Sequence, residues 1–250
     1  MAAVVALLDS RAARLGLRRS LPRGTRLHSC RSERDLATLL RDRLVEAIVL
    51  GSWNARRVDL TALRTRFPTV PLVIFGVLRA EDAGAVLEWE AGGIVQILIE
   101  GVDDAVVGEL VMRSGASRRR QASRADLPRA LRLTEPLQRR AWEQMVSSPG
   151  RPPRPAALAN TLRVSREHLS RQFGAGGAPN LKPVSDLLTV QVALELLGNP
   201  GYEIEIVARL LDFASPSHLR TTVRRVAGLG LAEARRLEWR DLVRRFVKRH

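Results

Sequence analysis

The stretch RVSREHLSRQF, residues 163–173, has the clearest helical pattern in the second half of the chain. It places Ser165, Leu169 and Phe173 four residues apart and fills every gap with charged or polar residues. Apolar residues four apart lie above one another on an α-helix, so Leu169 and Phe173 form one buried stripe. Ser165, just ahead of the stripe, is a favoured helix N-cap. The stretch therefore predicts a short helix with an apolar back and a polar front.

The same pattern returns in ASPSHLRTTVRR, residues 214–225, with Ser215, Leu219 and Val223 in the corresponding roles. One copy would say little, because any surface helix has an apolar back and a polar front. Two copies require a shared explanation.

A second apolar segment precedes each copy. In PAALANTLRV the apolar face is formed by Ala156, Leu158, Ala159 and Leu162, and in EIEIVARLLDF by Ile204, Val207, Ala208 and Leu211. In each copy a small alanine, Ala159 or Ala208, lies about ten residues ahead of the buried leucine and lets two helices cross closely. Such a crossing is how a helix-turn-helix holds its second helix outward. Each quoted stretch is thus predicted to be a recognition helix whose polar front faces a DNA major groove.

A longer helix, Val184–Leu197, is predicted between the two units. It would have about fourteen residues and measure about 21 Å at 1.5 Å per residue. A rigid spacer of this kind helps to set two recognition helices about 34 Å apart, one turn of duplex, on the same face of DNA.

The net charge of +15 is concentrated in the second half of the chain. Residues 1–113 carry 16 Arg against 14 Asp and Glu, whereas residues 114–250 carry 25 Lys and Arg against 12 acids. A basic half favours a polyanion, of which nucleic acid is the commonest. A general preference for Arg is the alternative, since 39 of the 41 basic residues are Arg, but that preference would affect both halves.

From Leu158 to Arg235, the second half resembles the AraC/XylS family of transcription regulators. The first-unit pattern, L-A and then S-x-x-x-L-x-R-x-F, is matched by Leu158, Ala159, Ser165, Leu169, Arg171 and Phe173. The connecting helix, the second unit and the tail are matched by Ala193, Leu196, Leu197, Ile204, Val207, Ala208, Phe213, Arg225, Gly228 and Arg235, with Val223 in place of an aromatic residue. Four positions depart from the family: Asp212 for Gly, Thr189 for Arg, Leu231 for Pro and Ala178 for Gly. Asp tolerates the left-handed turn expected at position 212 better than most residues, though less well than Gly.

The resemblance implies which side chains meet DNA. The family's base-facing positions fall on Glu167, Ser170 and Arg171 in the first helix and on Ser217, His218, Arg220 and Thr221 in the second. Arg can bind guanine O6 and N7 bidentately, Glu can accept from cytosine, and Ser or Thr can contact either. Phosphate contact is expected for Arg166, Arg224 and Arg225. The alternative for each of these Arg residues is that it only solubilises a helix surface.

The first half alternates short apolar runs with helical patterns. Strands are predicted at 3–8, 25–28, 45–50, 70–75 and 94–99, and helices around 10–21, 34–42, 60–66, 81–91 and 103–112. This alternation predicts a doubly wound α/β domain with a parallel five-stranded sheet, ahead of an all-α DNA-binding domain.

The first half resembles the receiver domain of response regulators over residues 1–113, mainly in topology and in phrases such as FPTVPLVIFG. A working receiver needs acids after strand one, a phosphoacceptor Asp ending strand three and a Lys ending strand five. Here strand one offers only Asp9, strand three ends at Leu50-Gly51, and Glu100 lies near the position of the Lys. A single Asp is a poor Mg²⁺ site. We therefore expect a degenerate receiver-like domain in which Asp9 is a strand-end residue without a catalytic role.

Two further segments complete the predicted domain organisation. Residues 114–130 are predicted to be a solvated linker, in which the run Arg118-Arg119-Arg120 is either solvated or in contact with phosphate. Residues 131–250 form the predicted DNA-binding domain. Its last segment, RRLEWRDLVRRFVKRH, predicts an amphipathic helix with Trp239, Leu242, Val243 and Phe246 on one face. That face either packs on the DNA-binding domain or contacts a partner.

The remaining composition narrows the function classes. The single cysteine, Cys30, excludes internal disulfides and Cys-rich metal sites, and the four His are too scattered to suggest a metal ligand set. The opening MAAVVALLDS is a predicted buried strand and not a signal peptide or membrane span, so a cytoplasmic protein without cofactor or membrane partner is expected. The chain lacks a glycine-rich phosphate loop, a nucleophile elbow and a paired acid cluster, which argues against an enzyme.

The sequence predicts a sequence-specific DNA-binding transcription regulator. Its partners would be double-stranded DNA and, through the receiver-like domain, a second copy or another protein. The alternative is a protein-interaction module whose degenerate helix-turn-helix units no longer bind specific DNA.

Overall fold

The computed structural model describes residues 3–249, which divide into two compact units. The first unit contains residues 3–119 together with the short segment 199–202, and the second contains residues 120–198 and 203–249. Each unit has its own buried core.

The first unit alternates strands and helices along the chain. Its elements are β1 (Ala3–Leu7), α1 (Arg11–Ser20), β2 (Arg26–Ser29), α2 (Glu33–Asp42), β3 (Val45–Leu50), α3 (Ser52–Ala55), α4 (Leu60–Arg66), β4 (Leu72–Gly76), α5 (Ala83–Ala91), β5 (Gln96–Ile99) and α6 (Val107–Ser114). A turn of 3₁₀-helix, Ala80–Asp82, leads into α5.

The five strands form one parallel sheet in the order β2-β1-β3-β4-β5. This strand order is that of the flavodoxin-like doubly wound fold, to which receiver domains belong. Every residue of the three central strands is buried, and apart from Glu46 of β3 these strands are continuous apolar runs without alternation. The predicted α/β architecture is confirmed.

Successive side chains of a strand point to opposite faces of the sheet, and the two faces are covered by different helices. On one face Val4 and Ala6 of β1 pack with Leu17 of α1 and Val111 of α6. Helices α1 and α6 lie against each other there. Because both faces are covered, the three central strands carry a single polar side chain, that of Glu46 near the start of β3.

The second unit is helical throughout its described residues. Its elements are α7 (Ala116–Ser123), which contains the boundary between the units, α8 (Leu127–Ala130), α9 (Pro136–Val146), α10 (Pro155–Leu162), α11 (Arg166–Phe173), α12 (Leu181–Leu197), α13 (Ile204–Leu210), α14 (Pro216–Ala227), α15 (Leu231–Ala234) and α16 (Trp239–Val247). Helix α12 has 17 residues and is therefore about 25 Å long. Most of its residues are buried, and two of the buried polar residues, Asp186 and Gln191, are paired with the Arg225 and Arg124 side chains.

Element boundaries differ from the predictions at the strand starts and at two helices. Strands β4 and β5 each begin two residues later than predicted. The helix predicted from Asp103 begins at Val107, because Asp103 accepts a hydrogen bond from the Ile99 backbone N–H (2.7 Å) and closes a turn instead. Helix α3 was not predicted, since four residues are too few to show a helical period.

The prediction of a solvated linker over residues 114–130 is wrong for most of that segment. Residues 116–123 form α7, and Arg120 and Arg124 are 4% and 2% exposed. Arg120 is paired with Glu195 of α12 at 3.0 Å, and Arg124 donates to the Gln191 side chain. A half-buried carboxylate and a buried amide on α12, about 70 residues further along the chain, allow these two cations to be buried.

The C-terminal segment forms the predicted amphipathic helix. Leu242, Val243 and Phe246 of α16 are buried, and α16 packs against α12 and α14. The Trp239 indole N–H also donates to the Ser123 carbonyl at 3.0 Å. Of the two predicted roles, packing on the second unit is the one observed.

Candidate nucleic-acid interface

Helices α10 and α11 form the first helix-turn-helix unit. Helix α10 ends at Arg163, whose φ of 57° is left-handed, and the Val164 N–H donates back to the Ala159 carbonyl at 3.1 Å. Helix α11 then begins behind Ser165, whose Oγ accepts from the His168 N–H at 3.1 Å. A left-handed residue followed by a serine N-cap reverses the chain in three residues, so α11 leaves at an angle to α10.

Helices α13 and α14 repeat this geometry in the second unit. Asp212 has a φ of 55°, and the Phe213 N–H donates to the Ala208 carbonyl at 2.8 Å. The Ser215 Oγ accepts from the His218 N–H at 3.1 Å, as Ser165 does from His168. The left-handed conformation predicted for Asp212 is confirmed.

The buried stripes are those predicted from the fourfold spacing. Leu169, Phe173, Leu219 and Val223 are fully buried, and the crossing-point residues Ala159 and Ala208 are each 2% exposed. Ala156, predicted on the apolar face of α10, is exposed instead, because it lies in the first turn of that helix.

The ten residues predicted to meet DNA all lie on the exposed side of α11 or α14. They are Arg166, Glu167, Ser170 and Arg171 on α11, and Ser217, His218, Arg220, Thr221, Arg224 and Arg225 on α14. Within residues 3–249, eight of the ten make no side-chain hydrogen bond, ion pair or ring contact; the exceptions are His218 and Arg225. We call these exposed sides the fronts of α11 and α14.

Two of the ten have partners inside the protein. The His218 ring meets the Phe213 ring edge to face, with centroids 5.4 Å apart. The Arg225 guanidinium lies 2.7 Å from Asp186 of α12, so this side chain fixes the far end of α14 to the central helix. Any phosphate contact by Arg225 would compete with that ion pair.

The fronts carry five Arg and one acid, Glu167, among the ten residues. Exposed guanidinium groups attract phosphate and match guanine edges, whereas hydroxyls and a carboxylate offer hydrogen bonds that depend on the base. The two fronts therefore combine general attraction with groups able to discriminate between bases.

Sequence reasoning missed Gln138 of α9, which is fully buried behind α11. Its Nε2 donates to the carbonyls of Phe173 (2.9 Å) and Ala175 (3.0 Å), and weakly to that of Gln172 (3.3 Å). Its Oε1 accepts from the Glu135 N–H at 2.9 Å. The last carbonyls of a helix lack hydrogen-bond donors within the helix. The buried Gln138 amide supplies such a donor and so fixes the end of α11. The sequence E-P-L-Q, residues 135–138, resembles a capping box and could have indicated the start of α9. Nothing in it indicates the hydrogen bonds to the carbonyls of Phe173 and Ala175.

The carboxyl edge of the sheet in the first unit, where receivers hold their phosphorylation site, is filled by its own side chains. Asp9 accepts from the backbone N–H groups of Trp53 (2.9 Å) and Asn54 (3.1 Å) and from the Asn54 side-chain amide. A Cβ built on Gly51 would collide with the Asp9 carboxylate, so that carboxylate occupies the space where a side chain at position 51 would lie. Nearby, the Ser10 hydroxyl donates to Glu100 at 2.8 Å. Asp9 thus caps α3, in accordance with the structural role expected for it.

Cys30 follows β2 at the same edge. It is buried, and burial raises the pKa of its thiol to about 12. The sulfur is therefore protonated at neutral pH and is a poor nucleophile.

No protein-family model matches the chain, and no curated protein matches it either. Among solved structures, full-length FixJ from B. japonicum aligns with 91% of this chain and 98% of its own, with a TM-score of 0.39 and 14% identity. The response regulator StyR aligns with 90% of this chain and 98% of its own, with a TM-score of 0.32 and 15% identity. With similarities this low, the functional interpretation rests on the side chains of the chain itself.

No helix within residues 3–249 combines the length and apolar character needed to span a bilayer. The same residues hold no group of three or more His, Cys, Asp or Glu arranged to bind a metal ion.

Proposed function

We propose that this chain is a sequence-specific transcription regulator that binds double-stranded DNA through a second unit of the AraC/XylS type. Its receiver-like first unit would act in dimerisation or protein contact without being phosphorylated. The observation that carries the proposal is the repeated helix-turn-helix geometry: two left-handed turns, two serine N-caps with matching distances, and two exposed polar fronts.

The chemistry of the fronts supports DNA as the ligand. Arg171 and Arg220 are exposed and have no partner among the described residues, so their guanidinium groups can bind a guanine edge bidentately without first breaking an internal contact. Arg166 and Arg224 add positive charge beside them, which suits phosphate. Helix α12, about 25 Å long, is a rigid element that helps to separate two major-groove contacts.

Selection of bound duplexes from a random pool by the purified full-length chain tests the proposal. We expect enrichment of a site with two short conserved blocks about one helical turn apart, as two recognition helices on one face require. Recovery of unenriched DNA, with binding that salt abolishes equally for all sequences, would favour the protein-interaction module instead.

The proposed role of the first unit is supported by an acidic segment, residues 80–112. It carries eight acids and no Lys or Arg, whereas the remainder of the chain holds all 41 basic residues. It also contains the two most exposed large apolar side chains of the described residues, Leu87 (68%) and Val102 (74%). Exposed apolar groups among charges of one sign are typical of an interaction surface. Repulsion between the acids disfavours contact between two copies of this segment. A basic protein surface is therefore the favoured partner.

Sedimentation of the full chain at low and high salt tests this role. If the acidic segment meets a basic surface of a second copy, association weakens with salt and the double variant L87S/V102S remains monomeric. Association that strengthens with salt would instead indicate pairing of the acidic segment with itself, and would contradict a basic partner.

A further inference from the structure

A cluster of contacts within the second unit joins the start of its first helix-turn-helix to the turn of its second. The Arg151 guanidinium donates to the Asp212 backbone carbonyl at 2.8 Å, and the Arg154 guanidinium lies 3.0 Å from the Asp212 carboxylate. Arg151 also lies over the Phe213 ring, 5.6 Å from its centroid. We call Arg151, Arg154, Asp212 and Phe213 the clamp.

The clamp reaches both recognition helices by a short route. Arg154 is the residue immediately before α10, which holds α11 through the Arg163 turn. On the other side, Phe213 meets the ring of His218, which is the third residue of α14. The two helix-turn-helix units are thus connected through the clamp as well as through α12.

Asp212 occupies a position that a glycine would adopt with less strain. Its φ of 55° is left-handed, where a Cβ is disfavoured. A glycine would keep the turn and the backbone carbonyl that Arg151 binds, but it would lose the carboxylate that Arg154 binds. Strained residues persist where the surrounding contacts hold them, and such positions are often functional.

We propose that the clamp fixes the distance and rotation between α11 and α14, and thereby sets the spacing between the two DNA half-sites that the protein accepts. This inference rests on the proposed DNA-binding function. Each added base pair moves a half-site by about 3.4 Å and rotates it by about one tenth of a turn. A second connection beside α12 resists both displacements, so a site with altered spacing must strain the clamp or lose one half-site.

The contribution of the clamp to affinity for a correctly spaced site is expected to be small. The Arg154 and Asp212 side chains are 82% and 74% exposed, and exposed ion pairs are weak. Selectivity between spacings is therefore the property that distinguishes a positioning role from general stabilisation. Asp212 and Arg154 are positioning residues in this account, because they act through the two helices and do not touch bases.

The experiment uses the full-length chain and a duplex selected from a random pool, together with the same duplex shortened or lengthened by one and two base pairs between its half-sites. Asp212→Asn keeps a residue that tolerates the left-handed turn and removes the charge. Arg154→Gln removes the charge from the other side. Arg163→Asn is the matched control, because Arg163 has the equivalent left-handed conformation in the first unit and lies outside the clamp.

We expect wild type to lose affinity steeply when the spacing changes. Asp212→Asn and Arg154→Gln should each flatten that dependence several-fold, with unchanged affinity for an isolated half-site, and Arg163→Asn should keep the wild-type profile. Identical spacing profiles for wild type and both clamp variants would overturn the inference, as would equal flattening by the Arg163 control. A gain in affinity at every spacing in Asp212→Asn, together with a loss at every spacing in Arg154→Gln, would assign Arg154 to phosphate contact and overturn the inference too. Failure of wild type to select any sequence would be a failure of the proposed function itself.

Discussion

The carboxyl edge of the sheet and the fronts of α11 and α14 carry similar side chains and use them in opposite ways. At the edge, the Asp9 carboxylate accepts three hydrogen bonds from α3, and Glu100 accepts one from Ser10. On the fronts, Glu167 and Arg171 have no partner within the described residues. A polar group whose partners lie inside the chain stabilises the fold, whereas one without them is available to a ligand. The contrast therefore predicts which substitutions change stability and which change binding.

The largest effect, on the free energy of unfolding, is expected at Gln138. This residue is buried behind α11 and belongs neither to the carboxyl edge nor to the fronts. Gln138→Leu leaves the carbonyls of Phe173 and Ala175 without their buried donor, so we expect the free energy of unfolding to fall by about 2–3 kcal/mol. Urea unfolding followed by far-UV circular dichroism measures the change. Gln144→Leu, an exposed position on the same helix, is the control and should stay within about 0.5 kcal/mol of wild type. Equal stability of the two variants would show that the end of α11 is held by other contacts.

Substitutions on the fronts of α11 and α14 should change DNA affinity and leave the stability of the protein unchanged. Arg171→Ala and Arg220→Ala are each expected to cost about 1–3 kcal/mol at the selected site and to relax preference at one base pair, with unchanged stability. Fluorescence anisotropy on specific and random duplexes measures the difference. Arg240→Ala, at an exposed arginine outside both recognition helices, serves as the control and should alter neither base preference nor stability. Equal losses on specific and random DNA at positions 171 and 220 would exclude base reading by these residues.

Substitutions at the carboxyl edge of the sheet should change the stability of the protein and leave DNA affinity unchanged. Asp9→Ala removes the acceptor for the first N–H groups of α3, so we expect a loss of about 1–2 kcal/mol in unfolding free energy and unchanged DNA affinity. Thermal unfolding together with the anisotropy titration makes both measurements. Thr61→Ala, at an exposed position of the same unit outside the acidic segment, is the control. A change in DNA affinity in Asp9→Ala with intact stability would break the contrast between edge and fronts.

A smaller and sequence-independent effect is expected at Arg224, on the front of α14. If Arg224 contacts phosphate, Arg224→Ala weakens binding to all duplexes alike and makes the dependence of log affinity on log salt shallower by about one unit. Titrations over a salt series measure the slope. An unchanged slope would mean that this guanidinium only solubilises the helix.

No effect at all is expected from phosphoryl donors. Position 51 is glycine, and the only acid after β1 already caps α3, so incubation with acetyl phosphate and Mg²⁺ should leave the mass of the protein unchanged. Intact-mass spectrometry provides the measurement. A hydroxylamine-sensitive adduct with the mass of one phosphoryl group would contradict the degenerate-receiver interpretation.

The sequence predicted those parts of the molecule that depend on local spacing. The fourfold stripes Leu169–Phe173 and Leu219–Val223 and both serine N-caps follow from helix geometry alone, and the structure confirms them. The left-handed turn at Asp212 was predicted as well, because the family pattern that the second half resembles has a glycine at this position. The assignment of individual residues to bases or phosphates stays a prediction.

What the sequence did not predict depends on partners distant along the chain. Arg120 and Arg124 were predicted to lie in a solvated linker, because nothing in that segment points to Glu195 and Gln191 of α12. Gln138 and the clamp were missed for the same reason: their acceptors lie tens of residues away. Arg225 was expected to meet phosphate, but only the packed helices reveal its ion pair with Asp186.

Methylation protection of guanine N7 on the selected duplex shows whether α11 and α14 read two successive stretches of major groove. We expect two clusters of protected guanines about 10 base pairs apart on one face of the DNA. One cluster should disappear in Arg171→Ala and the other in Arg220→Ala. Protection of a single cluster, or loss of both clusters in either variant, would mean that the two helices do not read separate stretches.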